Sequence, residues 1–268
     1  RNSFGIVVMR EVSIIKIGGN VVDSPEALEN FLQKFNNIPS PKILIHGGGV
    51  IASQFSKRMG IEPKMHNGRR ITDFETLKIV AMTYAGWVNK SIVAQLQKIG
   101  CNAIGLSGAD GNCVPAKRRD PKPIDFGYVG DVEPQKINKE LIDNLLSNGI
   151  TPVFCAITHD ENGSLLNTNA DTMASSIAVA LSSLYSVKLI FCFEKNGVLY
   201  SADDDNSVIP TITEELFEEL REKEIVSAGM LPKLENSFAA LNNGVEEVII
   251  KKAENLDIEL GTKLILKN

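Results

Sequence analysis

Six short segments of this sequence gather residue types that can bind or move charged groups. The first is Lys16-Ile17-Gly18-Gly19, closing a β-branched run that starts at Val12. Glycines at a strand's carboxyl end let backbone N–H groups approach an anion closely, and a lysine two residues earlier adds a point charge. Taken alone, a strand-edge lysine followed by a plain turn is the better explanation of the same residues. No G-x-x-x-x-G-K-[ST] motif occurs, so this is not a P-loop. The second is His46-Gly47-Gly48-Gly49, again at a strand end before a helix-compatible stretch. Three successive glycines suit an anion nest at a helix N-terminus. His46 itself reads as a packing residue.

A hydrolase oxyanion loop is a competing reading of His46 to Gly49, but it needs a G-x-S-x-G elbow. The nearest segment, Gly105-Leu106-Ser107-Gly108-Ala109, ends in Ala. That third segment, extended to Gly111, also fails as a dinucleotide fingerprint because its glycines run G-x-x-G-x-x-G. The fourth, Asn67-Gly68-Arg69-Arg70-Ile71-Thr72-Asp73, carries an Asn-Gly turn signal. Its arginines are either solvated or fork onto a substrate carboxylate, which suits a planar guanidinium. The fifth, Leu166-Asn167-Thr168-Asn169-Ala170-Asp171, puts two amides and a carboxylate at one strand-to-helix corner. Helix capping accounts for it, and so does ligand binding. The sixth, Ser227-Ala228-Gly229-Met230-Leu231-Pro232-Lys233, places a lysine in a helix's first turn. A cation there opposes the helix dipole, and a bound phosphate would reverse that penalty.

The elements that must position these residues alternate. The runs Val12–Ile17, Lys42–Ile45, Ala103–Leu106, Thr151–Ile157, Lys188–Phe193 and Glu247–Lys251 read as strands. Between them lie helical patterns: Ser24-Pro25 capping a helix through Phe35, Phe74–Ile99, Ile137–Gly149, Ala170–Leu184, a helix capped by Thr213, and Leu231–Asn243. Cys113–Val132 is a charged, proline-bearing excursion. The alternation predicts an α/β fold, a three-layer αβα sandwich around a central, mostly parallel sheet. The weakest place in the pattern, near Ser182–Val187, divides the chain into lobes 9–185 and 186–268.

With 268 residues, 43% apolar and 23% charged, the chain has the composition of a globular protein with a substantial core. Its formal net charge of −5, with no basic patch, argues against nucleic acid as a partner. No apolar run approaches the roughly 20 residues of a membrane span. Cys101, Cys113, Cys155 and Cys192 form no C-x-x-C pair, and His46, His66 and His159 are scattered, so no metal site is expected and the thiols suit a reducing cytoplasm. Met9 reads as the native start, with Arg1–Val8 a leader or remnant.

Taken together and in this order, the six segments resemble the amino-acid kinase family over nearly the whole chain from Val12. Among its branches they are most similar to the one that phosphorylates the γ-carboxylate of an N-acylated glutamate in arginine biosynthesis. Aspartate kinases usually open on Lys-Phe-Gly-Gly-Thr and carry long regulatory domains. Carbamate, glutamate 5- and uridylate kinases share the glycine loops but do not usually combine His-Gly-Gly-Gly, Asn-Gly-x-Arg and Asn-x-Asn-Ala-Asp. The resemblance implies ATP as donor, with Mg²⁺ riding on its phosphates, and N-acetyl-L-glutamate or N-succinyl-L-glutamate as acceptor. It implies that Lys16 and Lys233 hold the transferring phosphoryl group and that Asp171 orients both lysines. Gly18, Gly19 and Gly47 would give N–H groups to ATP phosphates. Gly48 and Gly49 would face the attacking carboxylate, and Arg70, Asn167 and Asn169 would bind the rest of the substrate. It also implies a homodimer formed through the acylglutamate-binding lobe 9–185, with ATP on lobe 186–268. A second small-acid kinase of this fold, or a nucleotide-binding regulator without catalysis, are the alternatives.

Two positions depart from the family's pattern. Glu194 stands where an Asp is usual, towards the nucleotide. Asn20 stands where a small or apolar residue is usual, and the resemblance sets it beside the acyl group, leaving acetyl and succinyl both open. The arginine-inhibited members share a long helix before the first strand. Few residues precede Val12 here, so the expectation is insensitivity to arginine.

Overall fold

The computed structural model describes residues 9–226 and 229–266. Arg1–Val8 and the pair Ser227-Ala228 lie outside the described residues, as do the readings made on them. The chain enters through β1 (Glu11–Ile17), a helical turn α1 (Gly19–Val22), α2 (Pro25–Asn37), β2 (Lys42–His46) and α3 (Gly49–Arg58). The hairpin β3 (Lys64–His66) and β4 (Arg69–Ile71) leads to α4 (Phe74–Ala81), a π-helical segment Met82–Val88 and α5 (Asn89–Lys98). Next come β5 (Ala103–Leu106), the hairpin β6 (Ala116–Arg118) and β7 (Gly130–Val132), α6 (Lys139–Ser147), β8 (Thr151–Cys155) and the hairpin β9 (Ile157–His159) and β10 (Leu165–Asn167). The chain ends through α7 (Ala170–Leu181), β11 (Ser186–Phe193), β12 (Thr211–Thr213), α8 (Glu214–Glu222), α9 (Leu231–Asn242), β13 (Glu247–Lys252) and β14 (Thr262–Ile265).

Eight strands form one sheet in the order β12-β14-β13-β11-β1-β2-β8-β5, parallel throughout except where β13 meets β14. Ser182 to Tyr185 therefore interrupts no sheet: β11 pairs directly with β1, in register from Glu11 against Ser186 to Ile17 against Cys192. Side chains alternate between the two faces of a strand. In β1, Val12 and Ile14 join the core under α6, α7, α8 and α9, whereas Ile15 and Ile17 join the core under α2 and α5. Both cores are built of fully buried Ile, Leu, Val and Phe, each worth about 1.5–3 kcal/mol on burial. The same alternation sets Lys16 in the row of Val12 and Ile14, on the face that α7 and α9 cover.

Local chemistry fixes the element ends. Ser24 Oγ accepts from Ala27 N–H and Thr213 Oγ1 from Leu216 N–H, so both caps act as such. Asn67 and Gly68 turn the β3–β4 hairpin with φ of 47° and 73°, the left-handed pair that a two-residue hairpin turn demands. The stretch read as one helix from Phe74 to Ile99 is helical but widens to a π-helix over Met82–Val88. That segment packs Tyr84 and Val88 inward and leaves Trp87 exposed.

Candidate functional site

Three strand ends converge on one cavity. It holds about 250 Å³ and is lined by Lys16 and Gly19 from the end of β1, Gly47, Gly48 and Gly49 after β2, and Asn167 to Asp171 between β10 and α7. The β3–β4 hairpin supplies Arg70 to the same wall. A larger hollow of about 580 Å³, between α7, α9 and Pro134–Lys139, carries one charged group, Lys139. The smaller cavity gathers the charge and the backbone donors, and chemistry belongs there.

Its centre is Asp171, in the first turn of α7. Lys16 Nζ lies 2.8 Å from Oδ1, an ion pair whose angle falls short of a hydrogen bond. Lys233 Nζ donates to Oδ2 at 2.7 Å. Burial pushes the Asp171 carboxyl up, and the two ammonium groups overcome that and hold it down at about 2. Burial lowers the Lys233 pKa, and Asp171 works against that. Lys233 also lies over the Phe191 ring, 4.9 Å from its centroid. It stands behind Asp171 and is not part of the cavity lining.

The glycines differ from one another. Gly18 donates its N–H to Cys192 O at 3.2 Å, which extends the β1–β11 ladder. Of that pair it is Gly19, at the start of α1, whose N–H meets no acceptor among the described residues and which lines the cavity. Gly47, Gly48 and Gly49 likewise have N–H groups without an acceptor among the described residues. Gly48 takes φ of 150°, which L side chains rarely adopt, and a Cβ there would lie 3.2 Å from the Tyr84 ring. Beneath them His46 is fully buried; burial first of all pushes its pKa down to about 4, so it is neutral.

Arg70 is 8% exposed. Its Nη2 donates to Gly49 O and Ser53 Oγ, both at 2.8 Å, while Nη1 is buried without a partner among the described residues. An unpaired guanidinium nitrogen beside a cavity is a waiting donor for a carboxylate. Asn167 Nδ2 donates to Thr72 Oγ1 at 3.1 Å. Asn169 caps α7, its Oδ1 accepting from Thr172 N–H at 3.0 Å, so its free offer is the amide NH₂.

Asn20 lies elsewhere. Its amide donates to Glu194, and both line a separate hollow of about 330 Å³ against Phe31 and Lys252. The two departures from the family pattern are thus one contact, and Asn20 lies outside the lining of the Arg70 cavity. The hydrolase elbow is absent too: Ser107 Oγ donates to Asp110 at 2.8 Å, and both His46 nitrogens have other partners. Sequence reasoning passed over Tyr84, Arg119 and Phe126, which all line the cavity. Nothing local marks them, since each reaches the cavity only through the packing of a helix or a hairpin. Among the described residues no cluster of three or more His, Cys, Asp or Glu could hold a metal ion, and no helix is long and apolar enough to cross a membrane. All four cysteines are buried, free thiols.

A sequence profile described as the amino acid kinase family matches residues 11–252. The chain is 52% identical over 265 residues to the acetylglutamate kinase of Cytophaga hutchinsonii, covering 96% of this chain and 99% of that protein. It is 50% identical to the acetylglutamate kinase of Phocaeicola vulgatus, covering 94% and 97%. Among solved structures, smu.665 from Streptococcus mutans superposes with a TM-score of 0.78 at 27% identity, covering 94% of this chain and 98% of that one.

Proposed function

The chain belongs to the amino acid kinase family, and from that premise we propose that it transfers the γ-phosphoryl group of ATP to the γ-carboxylate of N-acetyl-L-glutamate, in arginine biosynthesis. One observation carries the reading: a carboxylate clamped between two lysines beside a nest of unpaired glycine N–H groups, with an unpaired arginine nitrogen on the facing wall. A substrate carboxylate is ionised at neutral pH, so attack on phosphorus needs no general base. The obstacle is repulsion between two anions. Fixed cations and N–H dipoles that need no reorganisation lower it, and they hold the reacting atoms in line.

In this reading Lys16 and Lys233 hold the transferring phosphoryl group and Asp171 positions them. Gly19 and Gly47 serve the ATP phosphates, with Gly18 shaping the turn. Gly48 and Gly49 face the carboxylate, and Arg70, Asn167 and Asn169 take the α-carboxylate and acylamido end. Asp171 is the one acid lining the cavity among the described residues, and both its oxygens face lysines. The chain thus offers Mg²⁺ little there, and the ion, held by the phosphates, would neutralise their charge. Lobe 186–268 binds ATP, and its cleft between Phe193, Val198, Ile225 and Met230 is the place for the base. Lobe 9–185 binds the acceptor.

The test is coupled ADP release with N-acetylglutamate, N-succinylglutamate, free glutamate and carbamate. Turnover is expected with an acylated glutamate. Succinyl gains no support from Arg119, which lines the cavity beside Phe126 and Val129 but already forks onto the Asp131 carboxylate through Nε and Nη2. Turnover with carbamate or free glutamate alone would move the chain to another kinase branch, and ATP binding without any turnover would make it a regulator.

Homodimerisation is the second part of the proposal. Trp87 and Met82, 65% and 56% exposed on the π segment of lobe 9–185, form the apolar surface for it. Trp87→Glu is expected to shift the molar mass by light scattering from dimer to monomer. A wild-type protein of monomer mass removes this part.

A further inference from the structure

His46 looks like a packing residue, yet every hydrogen bond around it is determined. Its Nδ1 lies 2.7 Å from Gly47 O, and a carbonyl can only accept, so Nδ1 carries the proton. Its Nε2 is therefore an acceptor, and it lies 3.0 Å from Asn89 Nδ2. The amide of Asn89 cannot be turned round, because Nδ2 also donates to Val153 O at 3.0 Å and Oδ1 accepts from Lys90 Nζ at 3.0 Å. The chain Lys90–Asn89–His46 fixes one tautomer and ends on the carbonyl of the glycine nest.

That carbonyl belongs to the Gly47–Gly48 peptide. The bond is trans, so its C=O and N–H point in opposite directions. A carbonyl tied down to the buried imidazole turns the Gly48 N–H up, away from the core. Gly48 is buried, lines the cavity and has no acceptor for that N–H among the described residues. Glycines on both sides of a peptide leave it free to flip, so something must choose its direction. We propose that His46 is a positioning residue, which holds the Gly47–Gly48 peptide in the one orientation that aims the Gly48 N–H at the charge developing on the reacting oxygens. The chemistry rests on the kinase reading above; the peptide geometry does not.

Two substitutions separate this role from packing. The Asn amide nitrogen falls close to imidazole Nδ1, and the Gln side chain reaches the place of Nε2. His46→Asn keeps a donor for Gly47 O, and His46→Gln keeps the partner of Asn89. If His46 positions the peptide, His46→Asn retains kcat within about threefold, while His46→Gln loses about tenfold or more in kcat with the KM for ATP little changed. Crystal structures of both variants are expected to show the Gly47 carbonyl in its wild-type direction in the first and rotated in the second. Equal losses in the two variants, or an unrotated peptide in His46→Gln, overturn the proposal. A wild-type enzyme inactive on every acid strikes the kinase reading instead and leaves the crystallographic comparison to judge the peptide.

Discussion

Replacing Lys233 by Met is expected to lower kcat by about 10²-fold or more, on the scale of a lost oxyanion donor, while the protein stays folded. Met matches the lysine stem in length and keeps apolar contact with Phe191, so packing on β11 is preserved. What goes is one fixed positive charge. Asp171 still has Lys16 at 2.8 Å and does not become an unpaired buried acid. Lys16→Met mirrors the change from the cavity side and should cost at least as much, because Lys16 lines the cavity and Lys233 does not. Lys233→Arg is not expected to rescue, since a planar fork cannot occupy the place of a compact ammonium. Coupled ADP release gives kcat and thermal melting checks the fold. Turnover within threefold of wild type would remove Lys233 from the mechanism.

The clamp also sets a pH dependence. The folded pKa of Asp171, about 2, lies below its ordinary value of 3.8. Its contribution to stability is therefore fully present above about pH 4 and is lost as pH falls through 2. Over the neutral range Asp171 is a constant carboxylate and His46 a constant neutral ring, so neither shapes the activity profile there.

The sequence made some of this legible for clear physical reasons. Strands such as Val12–Ile17 and Lys42–Ile45 are buried on both faces, and such runs stand out as β-branched stretches ending in glycine. The caps Ser24 and Thr213 declare themselves by residue type. The three-residue strands β9, β10 and β12 do not, because so short a segment shows no period. The site was legible as segments and not as contacts. That Lys16 and Lys233, far apart in the chain, meet on one carboxylate follows from the β1–β11 pairing and from α7 and α9 sharing a face, and neither is local. Asn20 misled for the same reason: its neighbour in sequence is the glycine turn, but its neighbour in space is Glu194.

Among the glycines of the two site loops, Gly18, Gly19 and Gly47 to Gly49, Gly48→Ala is expected to cost the most turnover. At φ of 150° the backbone sits where an L residue is strained, at a cost of about 1–3 kcal/mol. The added Cβ would come within 3.2 Å of Tyr84 Cδ1 and 3.3 Å of Val88 Cγ2, both on rigid helical backbone, so the peptide must yield. When it yields, the Gly48 N–H loses its aim, and kcat should fall by about 10²-fold or more, together with a lower Tm. Trimming the obstruction does not repair this, because Val88→Ala leaves the φ unchanged. Gly18→Ala is the control in the other glycine pair. Its Cβ would meet nothing closer than Cys192 O at 3.6 Å, its φ is −82°, and its N–H already serves the ladder. Without a steric conflict or a free N–H to misdirect, Gly18→Ala should change kcat by no more than a few-fold. Comparable losses at the two positions would mean that glycine is needed there for the close approach of a ligand and not for the direction of one peptide. A Gly48→Ala enzyme with wild-type kcat and Tm would exclude the Gly48 N–H from phosphoryl transfer.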